Sequence, residues 1–318
     1  MNATRLLQKD FDPLGPQLRS MRVASGRLAN YIDEGRPGWT PLVFLGGAGT
    51  TVRAFGLLEF ARTLREELGV RVISVERNGL GGTAFDPAVG FAEYAEDVWS
   101  VLDALGIAEA SVVAISGGGP YAAHLAAAQP ERIRSLHLAC AFSDGRAGTT
   151  ASFDAGKIAA HPVDWWTFPP ESSVHHIPGF TDSAIEEAVR GSFALGRDTP
   201  PDGLRQAFEL YRSATLPDLS SVCAPSFLYW GSADPLVPAE HRLRWRSQLR
   251  RVAHERVYDG EGHDVQYRHW DQILADVAFL GEREIVTADG ESLLATPARA
   301  AELRAAGAMD GIAAWGTF

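Results

Sequence analysis

The chain has 318 residues, of which 46% are hydrophobic and 22% are charged, and its formal net charge is −11. This composition is typical of a soluble globular protein and excludes a disordered, collagen-like or membrane-embedded chain. The excess of acidic residues, with no run rich in Lys and Arg to offset it, argues against nucleic acid or an anionic membrane as a partner.

Short β-branched and aromatic runs alternate with longer helical patterns along the chain, which predicts parallel strands joined by crossover helices. The predicted strands are Arg27–Ile32, Pro41–Leu45, Val70–Val75, Ala110–Ile115, Ile133–Phe142, Pro225–Trp230 and His254–Tyr258. The predicted helices are Phe55–Leu68, Phe91–Leu105, Gly119–Gln129, Ala239–Leu249 and Val265–Leu280. The predicted fold class is therefore α/β, with a mostly parallel twisted sheet flanked by helices.

One interval, from Ser143 to Val222, interrupts this alternation. It is far longer than an ordinary connection between a strand and a helix, and it is rich in Pro, Trp, His and Phe. Helical spacing over Asp182–Leu195 and Asp202–Ala214 predicts a mainly helical cap set over the sheet. We expect the cap to span residues 143–222 and the core to comprise residues 1–142 and 223–281.

Residues 282–318 are expected to form a small appendage. Residues 288–290, Ala-Asp-Gly, lie between two apolar segments and predict a hairpin turn. Thr296-Pro297 then predicts the start of a helix that Gly307 would end. The appendage has no nucleophile, base or ligand cluster, so we expect it to pack on the core or on a partner subunit, and a homo-oligomer remains open.

The sharpest local signal is the sequence VVAISGGGP at residues 112–120, where a buried strand runs into small residues and then into a helix. A serine nucleophile on such a turn needs small residues two positions before and after it, so that strand and helix can pass closely. Ala114 and Gly118 meet this requirement around Ser116, giving A-x-S-x-G where G-x-S-x-G is usual. Taken alone, the same glycines could also cradle a phosphate group at the start of a helix.

A second glycine-rich loop, VFLGGAGT at residues 43–50, also follows a predicted strand. With the other motifs it makes the chain from about Arg22 to Leu280 resemble the α/β-hydrolase fold family, specifically its cap-bearing serine hydrolases. The resemblance implies that the backbone N–H groups of Ala48 and Gly117 form the oxyanion hole. The family commonly has His-Gly where this sequence has two glycines at positions 46 and 47.

The resemblance also implies the remaining members of a catalytic triad. Residues 229–238, YWGSADPLVP, resemble the loop that delivers the acid, here Asp234, and residues 259–264, DGEGHD, place His263 where the family has its general base. The chain order Ser, Asp, His is that of the family. Asp144, just after the preceding strand, is an alternative acid, because some members carry the acid there.

The remaining motifs are interpreted as structural. Residues 76–83, ERNGLGGT, resemble a family loop that usually reads D-x-R-G-x-G-x-S, and we assign them no catalytic role. The sequence has neither a G-x-G-x-x-G fingerprint before a helix nor a P-loop Lys, so NAD and ATP are not expected. The other eight histidines, including His175-His176, are interpreted as structural or surface residues, and we expect neither a metal nor another cofactor.

Together these residues predict a serine hydrolase that cleaves an acyl bond through an acyl-enzyme, most simply in a carboxylic ester or lactone. Hydrolysis of a C–C bond in a β-diketone-like substrate, perhydrolase chemistry of the haloperoxidase type, and a catalytically silent ligand-binding member remain alternatives. A serine nucleophile argues against epoxide hydrolase and haloalkane dehalogenase activity, since the related enzymes use aspartate.

The cap sequence suggests the character of the substrate. Trp165 and Trp166 are adjacent, and adjacent side chains point in different directions on a helix or strand. We therefore expect one of them to face the pocket above Ser116, which would favour a small, largely apolar molecule.

The cysteines and the N-terminal sequence bear on the compartment. Cys140 and Cys223 lie in or beside apolar runs, and residues 1–15 lack the apolar stretch of a signal peptide. No segment approaches the roughly 18 apolar residues of a membrane span. We therefore expect a cytoplasmic protein with reduced thiols and no membrane partner.

Overall fold

The computed structural model describes residues 16–147, 201–213 and 215–311. The strands in these ranges are β1 Arg19–Arg22, β2 Leu28–Glu34, β3 Thr40–Leu45, β4 Val70–Val75, β5 Ala110–Ile115, β6 Ile133–Ala139, β7 Ser226–Gly231, β8 Val252–Tyr258, β9 Glu284–Ala288, β10 Glu291–Ala295 and β11 Met309–Asp310. The α-helices are α1 Arg62–Glu67, α2 Phe91–Ala104, α3 Gly119–Ala128, α4 Asp202–Ser213, α5 Ala239–Gln248, α6 Val265–Arg268, α7 Trp270–Phe279 and α8 Pro297–Ala305. A 3₁₀ segment, Val52–Ala61, precedes α1.

Strands β1 to β8 form one twisted sheet in the order β1-β2-β4-β3-β5-β6-β7-β8. The pairs β1–β2 and β2–β4 are antiparallel, and the pairs from β4 through β8 are parallel. Strands β4, β5 and β7 are buried along their whole length, as expected for parallel strands covered on both faces. The predicted α/β class with a mostly parallel sheet is confirmed.

Alternate side chains of the strands enter two separate cores, one on each face of the sheet. The first core lies under α2, α3, α4 and α5, whose large buried side chains include Tyr94, Trp99, Tyr121, Tyr211 and Trp245. The second lies under Val52–Ala61, α1 and α7. There Phe44, Phe55 and Trp270 meet edge to face, with ring centroids 5.3 to 6.5 Å apart. Burying each such ring stabilises the fold by roughly 1.5–3 kcal/mol.

Because the strands from β3 to β8 are parallel, their carboxyl ends lie along one edge of the sheet. Ser116 directly follows β5, Asp234 lies in the loop after β7, and His263 lies in the loop after β8. Open α/β sheets place their ligand sites at this edge, since the loops there converge while the sheet holds their ends apart at fixed spacing. The topology therefore brings three distant parts of the sequence to one edge.

The predicted elements agree closely with the observed ones, apart from two short strands that were not predicted, β1 and β11, and two predicted helices that are divided. Strand β1, RSMR, was not predicted, because it is short, polar and largely exposed at the sheet edge. The predicted helix Phe55–Leu68 is divided into a 3₁₀ segment and α1, and the predicted helix Val265–Leu280 is interrupted at His269.

The predicted cap is only partly covered by the described residues. Its second helix is observed as α4, which ends at Ser213. The predicted helix Asp182–Leu195 and the predicted substrate contacts Trp165 and Trp166 lie outside the described residues, so the cap as a whole remains a prediction. No helix within the described ranges is both long and apolar enough to cross a membrane.

The described part of the C-terminal segment packs on the core. Strands β9 and β10 form a hairpin with positive φ at Asp289 and Gly290, and Ile285 of β9 enters the second core beside α7. The carboxylate of Glu284 accepts hydrogen bonds from Arg256 and Arg304. The contact with Arg256 joins the appendage to β8, and the contact with Arg304 joins its strand β9 to its helix α8.

Glu76, at the end of β4, is a buried carboxyl with no ion pair among the described residues. It accepts hydrogen bonds from the backbone N–H of Val52 at 3.2 Å and of Arg77 at 3.3 Å. Burial disfavours its charged form more than these contacts and the nearby Arg77 favour it, and so raises the pKa of Glu76 from 4.5 to about 7.

This raised pKa makes the contribution of Glu76 to stability depend on pH. A carboxyl that binds its proton more tightly in the folded state stabilises the folded state, and this stabilisation is fully present below pH 4.5. It is lost as the pH rises through about 7. We expect Glu76→Gln to gain on the order of 3 kcal/mol of unfolding free energy relative to wild type between pH 4 and pH 8. Urea unfolding at the two pH values measures the difference. The exposed Glu66→Gln should show no such gain, and equal behaviour of both variants would contradict the assignment.

Candidate active site

Ser116 occupies a strained turn between β5 and α3. Its φ is +50°, in the left-handed region that side chains other than glycine rarely adopt, and it begins a single 3₁₀ turn ending at Gly118. The backbone N–H of Phe142 donates to the Ser116 carbonyl at 2.8 Å and holds the turn against the end of β6. Such a conformation costs about 1–3 kcal/mol and persists only where the surrounding packing enforces it.

The glycines after Ser116 are required by close approach of the main chain. A Cβ on Gly118 would overlap the Leu45 carbonyl oxygen at the end of β3, and a Cβ on Gly119 would overlap the Phe142 carbonyl oxygen. Neither obstacle is a movable side-chain end, so neither position accepts a larger residue without a shift of the backbone. The requirement for a small residue two positions after the serine is met at Gly118, with Ala114 buried two positions before it.

The two predicted oxyanion-hole residues lie next to each other. A Cβ on Gly117 would stand 2.9 Å from the backbone nitrogen of Ala48 and 2.9 Å from its Cβ. The loop after β3 and the turn after β5 therefore meet directly beside Ser116. Two backbone N–H groups must lie this close together in order to donate to a single oxygen atom.

Arg77 fixes the loop that carries Ala48. It is buried at the end of β4, and its Nη2 donates to the Gly47 carbonyl, to the Thr50 carbonyl at 2.8 Å and to Thr50 Oγ1 at 3.0 Å. The guanidinium also lies 5.3 Å from the centre of the Tyr121 ring. The sequence has no histidine in this loop, and Arg77 provides the support from outside it. Residues 76–83 were expected to have no catalytic role, and their sequence did not indicate that Arg77 supports this loop.

Asp234 is held as an acceptor in the loop after β7. Its Oδ1 accepts from the backbone N–H groups of Leu236 at 2.8 Å and Val237 at 2.9 Å, and its Oδ2 accepts from His263 Nδ1 at 2.8 Å. Burial opposes ionisation, but the hydrogen bond and charge of His263, followed by the Val237 N–H and the Cys140 thiol, outweigh it and lower the pKa of Asp234. Asp234 is therefore a carboxylate at neutral pH.

The hydrogen bond to Asp234 determines the proton arrangement on His263. A carboxylate can only accept, so the proton of the neutral imidazole lies on Nδ1 and leaves the Nε2 lone pair open to act as a base. The loop is fixed on its other side by Gln266, whose Nε2 donates to the His263 carbonyl at 2.9 Å. The side chain of His263 is 18% exposed, so it is reachable from solvent.

The alternative acid, Asp144, is committed to a different set of contacts. Its Oδ2 accepts from Arg244 of α5 at 3.2 Å and from the Leu216 N–H at 3.3 Å, and its Oδ1 accepts from the Arg146 N–H at 3.0 Å. These contacts join the end of β6 to α5 and to the segment that re-enters the core. The structure pairs His263 with Asp234.

Cys140 is a neighbour of this pair that the sequence did not indicate. Its sulfur, the Asp234 carboxylate and the His263 ring present ligand-type atoms within 4.8 Å of one another, the one such group in the described part of the chain. Burial, followed by the negative charge of Asp234, raises the pKa of the Cys140 thiol well above its usual value. A protonated thiol donates to Asp234 and is a poor metal ligand, so the group fits a hydrogen-bonded carboxylate better than a metal centre.

The chain is similar to known proteins of one family. The family model of the alpha/beta hydrolase fold matches residues 40–269. The chain is 27% identical over 273 residues to the dihydrolipoyllysine-residue acetyltransferase component of the acetoin cleaving system of Pseudomonas putida, covering 81% of this chain and 68% of that protein. It is 35% identical over 130 residues to 2-hydroxymuconate semialdehyde hydrolase of Pseudomonas sp. (strain CF600), covering 39% and 43% of the two chains.

Among solved structures, the chain resembles the esterase RhEst1 from Rhodococcus sp. ECU1013. The TM-score is 0.60 at 21% identity, with 83% of this chain and 98% of that chain covered. This likeness concerns the fold, while the family match includes the loops that carry Ala48, Ser116, Asp234 and His263. The chain therefore belongs to the alpha/beta hydrolase fold family, and its relatives support hydrolysis as the class of reaction that it catalyses.

Proposed function

We propose that this protein is a serine hydrolase that cleaves a carboxylic ester or lactone through Ser116, His263 and Asp234. The observation that carries the proposal is the 2.8 Å hydrogen bond from His263 Nδ1 to the Asp234 carboxylate, at the same sheet edge as the strained turn of Ser116. A buried carboxylate held on a histidine orients the imidazole and stabilises it when it is protonated.

The first half of the reaction forms an acyl-enzyme. His263 Nε2 removes the proton from Ser116 Oγ, and Oγ attacks the carbonyl carbon of the substrate. The tetrahedral intermediate then collapses, the bond to the leaving oxygen breaks, and the imidazolium returns its proton to that oxygen. Asp234 remains ionised throughout and neutralises the positive charge on His263.

The second half releases the acid. Water gives a proton to His263 Nε2 and attacks the acyl carbon, and the intermediate collapses with return of the proton to Ser116 Oγ. In both halves the carbonyl oxygen becomes an anion, which the N–H groups of Ala48 and Gly117 bind. These donors are held in place before the reaction by Arg77 and by the close approach at Gly118, so little reorganisation opposes the charge as it develops.

The substrate is proposed to be small and largely apolar. The support within the described residues is a group of buried aromatic rings around Tyr211, whose hydroxyl lies close to Gly117; the group is formed by Phe91, Tyr121, Phe142, Phe208 and Tyr211. Pockets built from such rings favour apolar acyl groups and disfavour charged ones. The contribution of Trp165 and Trp166 to the same pocket remains a prediction.

A second candidate is hydrolysis of a C–C bond. It is favoured by the 35% identity over 130 residues to 2-hydroxymuconate semialdehyde hydrolase. The alignment covers less than half of each chain, so ester hydrolysis remains the first proposal. Turnover of 2-hydroxymuconate semialdehyde that exceeds turnover of p-nitrophenyl butyrate in kcat/KM would favour the second candidate.

The nucleophile and base can be tested together. Ser116→Ala and His263→Ala are each expected to remove nearly all turnover of p-nitrophenyl butyrate, because triad members act as a unit and their effects do not add. A fluorophosphonate probe followed by peptide mapping should label Ser116 in the wild type and leave Ser116→Ala unlabelled. Circular dichroism checks that both variants keep the fold. Substantial turnover by either folded variant, or a label on another residue, would contradict the proposal.

The choice of acid is tested by a matched pair of substitutions. Asp234→Asn replaces an acceptor by an amide that can donate to Nδ1, favours the wrong tautomer of His263, and should lower kcat by about 10⁴-fold. Asp144→Asn should lower the unfolding free energy through its lost contact with Arg244 and leave kcat close to wild type. Steady-state kinetics and urea unfolding separate the two effects. A larger kcat loss in Asp144→Asn would move the acid to Asp144.

The oxyanion hole is tested at Ala48. Ala48→Pro removes the backbone N–H and is expected to lower kcat by about 100-fold or more, corresponding to roughly 3 kcal/mol for a lost donor. Because proline also restrains the loop, Ala48→Ser serves as the control: it keeps the N–H and should remain active. A wild-type kcat in Ala48→Pro would show that the Ala48 N–H does not donate to the oxyanion.

A further inference from the structure

Tyr211 of α4 brings a hydroxyl group to the oxyanion site. The position that a Cβ on Gly117 would occupy is 2.8 Å from Tyr211 Oη and 2.9 Å from the backbone nitrogen of Ala48. The hydroxyl and the Ala48 amide thus approach one point beside Gly117 from different elements. The residue is 6% exposed, so the hydroxyl is enclosed with these groups.

The Tyr211 ring is fixed in place by its neighbours. It packs against the rings of Phe142, Phe208, Phe91 and Tyr121, with centroids 5.6 to 6.4 Å away. A side chain packed on several sides has little rotational freedom left to lose when a ligand binds. The position of the hydroxyl is therefore set before substrate arrives.

Helix α4 is itself anchored to the core. Asn78 Nδ2 donates to Gln206 Oε1 at 2.7 Å, and Gln206 Nε2 donates to the Pro87 carbonyl at 3.0 Å. A Cβ on Gly203 would overlap the Asn78 carbonyl oxygen, so the helix lies directly against the loop after β4. These contacts fix the helix against the loop after β4 and thereby fix the position of Tyr211.

The hydroxyl proton of Tyr211 has no acceptor of normal geometry among the described residues. Its polar neighbours are Arg77 and Tyr121, and of these only the Tyr121 oxygen can accept the proton, at a geometry outside the normal range. A guanidinium only donates, so the approach of Arg77 can engage the Tyr211 oxygen but not its proton. Burial raises the pKa of Tyr211, which keeps the hydroxyl protonated at neutral pH. A buried donor whose neighbouring acceptor lies outside normal hydrogen-bond geometry can turn to a better acceptor, such as an anionic ligand oxygen, at little cost.

We propose that the Tyr211 hydroxyl is a third donor to the oxyanion, beside the N–H groups of Ala48 and Gly117. The proposal rests on the proposed function, because the oxyanion exists only if Ser116 adds to an acyl carbonyl. Tyr211 donates a hydrogen bond and keeps its proton, so no covalent bond to it forms or breaks. The ligand that satisfies it is an acyl oxygen that gains negative charge.

The test compares two ketones of the same chain length, a trifluoromethyl ketone and a methyl ketone, as inhibitors. The first adds to an active serine and forms an anionic hemiketal, whereas the second binds without forming an oxyanion. We expect Tyr211→Phe to raise Ki for the trifluoromethyl ketone by about 10- to 100-fold and that for the methyl ketone by less than about twofold. The kcat/KM for p-nitrophenyl butyrate should fall by the same factor by which Ki for the trifluoromethyl ketone rises.

Tyr94→Phe is the matched control. The Tyr94 hydroxyl is buried nearby and donates to the Val75 carbonyl at 2.7 Å, so its removal should lower Tm and leave the ratio of the two Ki values unchanged. Equal weakening of both ketones in Tyr211→Phe, or no weakening of either, would overturn the proposal. If wild-type protein binds the two ketones equally, Ser116 does not add to carbonyls, and the proposed function fails together with this role.

Discussion

The contact between backbone groups at the end of β5 is the constraint on which the rest of the site depends. The Leu45 and Phe142 carbonyl oxygens occupy the space that side chains on Gly118 and Gly119 would need. The backbone of the helix therefore packs directly against the backbone that follows the strands. That contact forces Ser116 into its left-handed conformation and projects it from the turn. The free energy stored there, about 1–3 kcal/mol, is offset by the burial of the strands and helices on either side.

The buried polar groups around this turn differ in their hydrogen-bond partners: some bond to supporting groups, and one bonds to a titratable ring. Arg77 donates to the backbone and hydroxyl of the loop containing Ala48, and Asp144 is engaged by Arg244 and two amides. Asp234 differs because one of its oxygens is held by backbone amides while the other engages a titratable ring. A carboxylate fixed in this way can respond electrostatically to a proton on His263 without moving.

The interaction between the core and α4 gives that helix a role beyond covering the sheet. Its contact with Asn78 and the loop after β4 connects it to the same segment whose Arg77 holds the oxyanion loop. The Tyr211 hydroxyl of the helix lies close to Gly117, while Gln206 of the same helix bonds to that segment. Helix, loop and turn are thus joined through a few buried groups next to Ser116.

The sequence by itself determined the order of strands and helices, because apolar runs and helical periodicity are local properties. It also identified Ser116, Asp234 and His263 as candidates, since a strand followed by small residues and polar loops after strands are visible in the chain. Strand β1 was missed because an exposed polar edge strand lacks such a pattern. Trp165 and Trp166 stay predictions, outside the described residues.

Only the tertiary structure shows that His263 pairs with Asp234 and that Asp144 pairs with Arg244, because both carboxylates follow a strand and differ only in the partners that surround them. Likewise, nothing in the local sequence marks Arg77, Cys140 or Tyr211 as neighbours of the site, since each reaches it from an element distant in the chain. Hydrogen-bond partners and burial depend on how parallel strands and their helices pack across the sheet. That packing is a property of the whole fold, which a motif read along the chain does not contain.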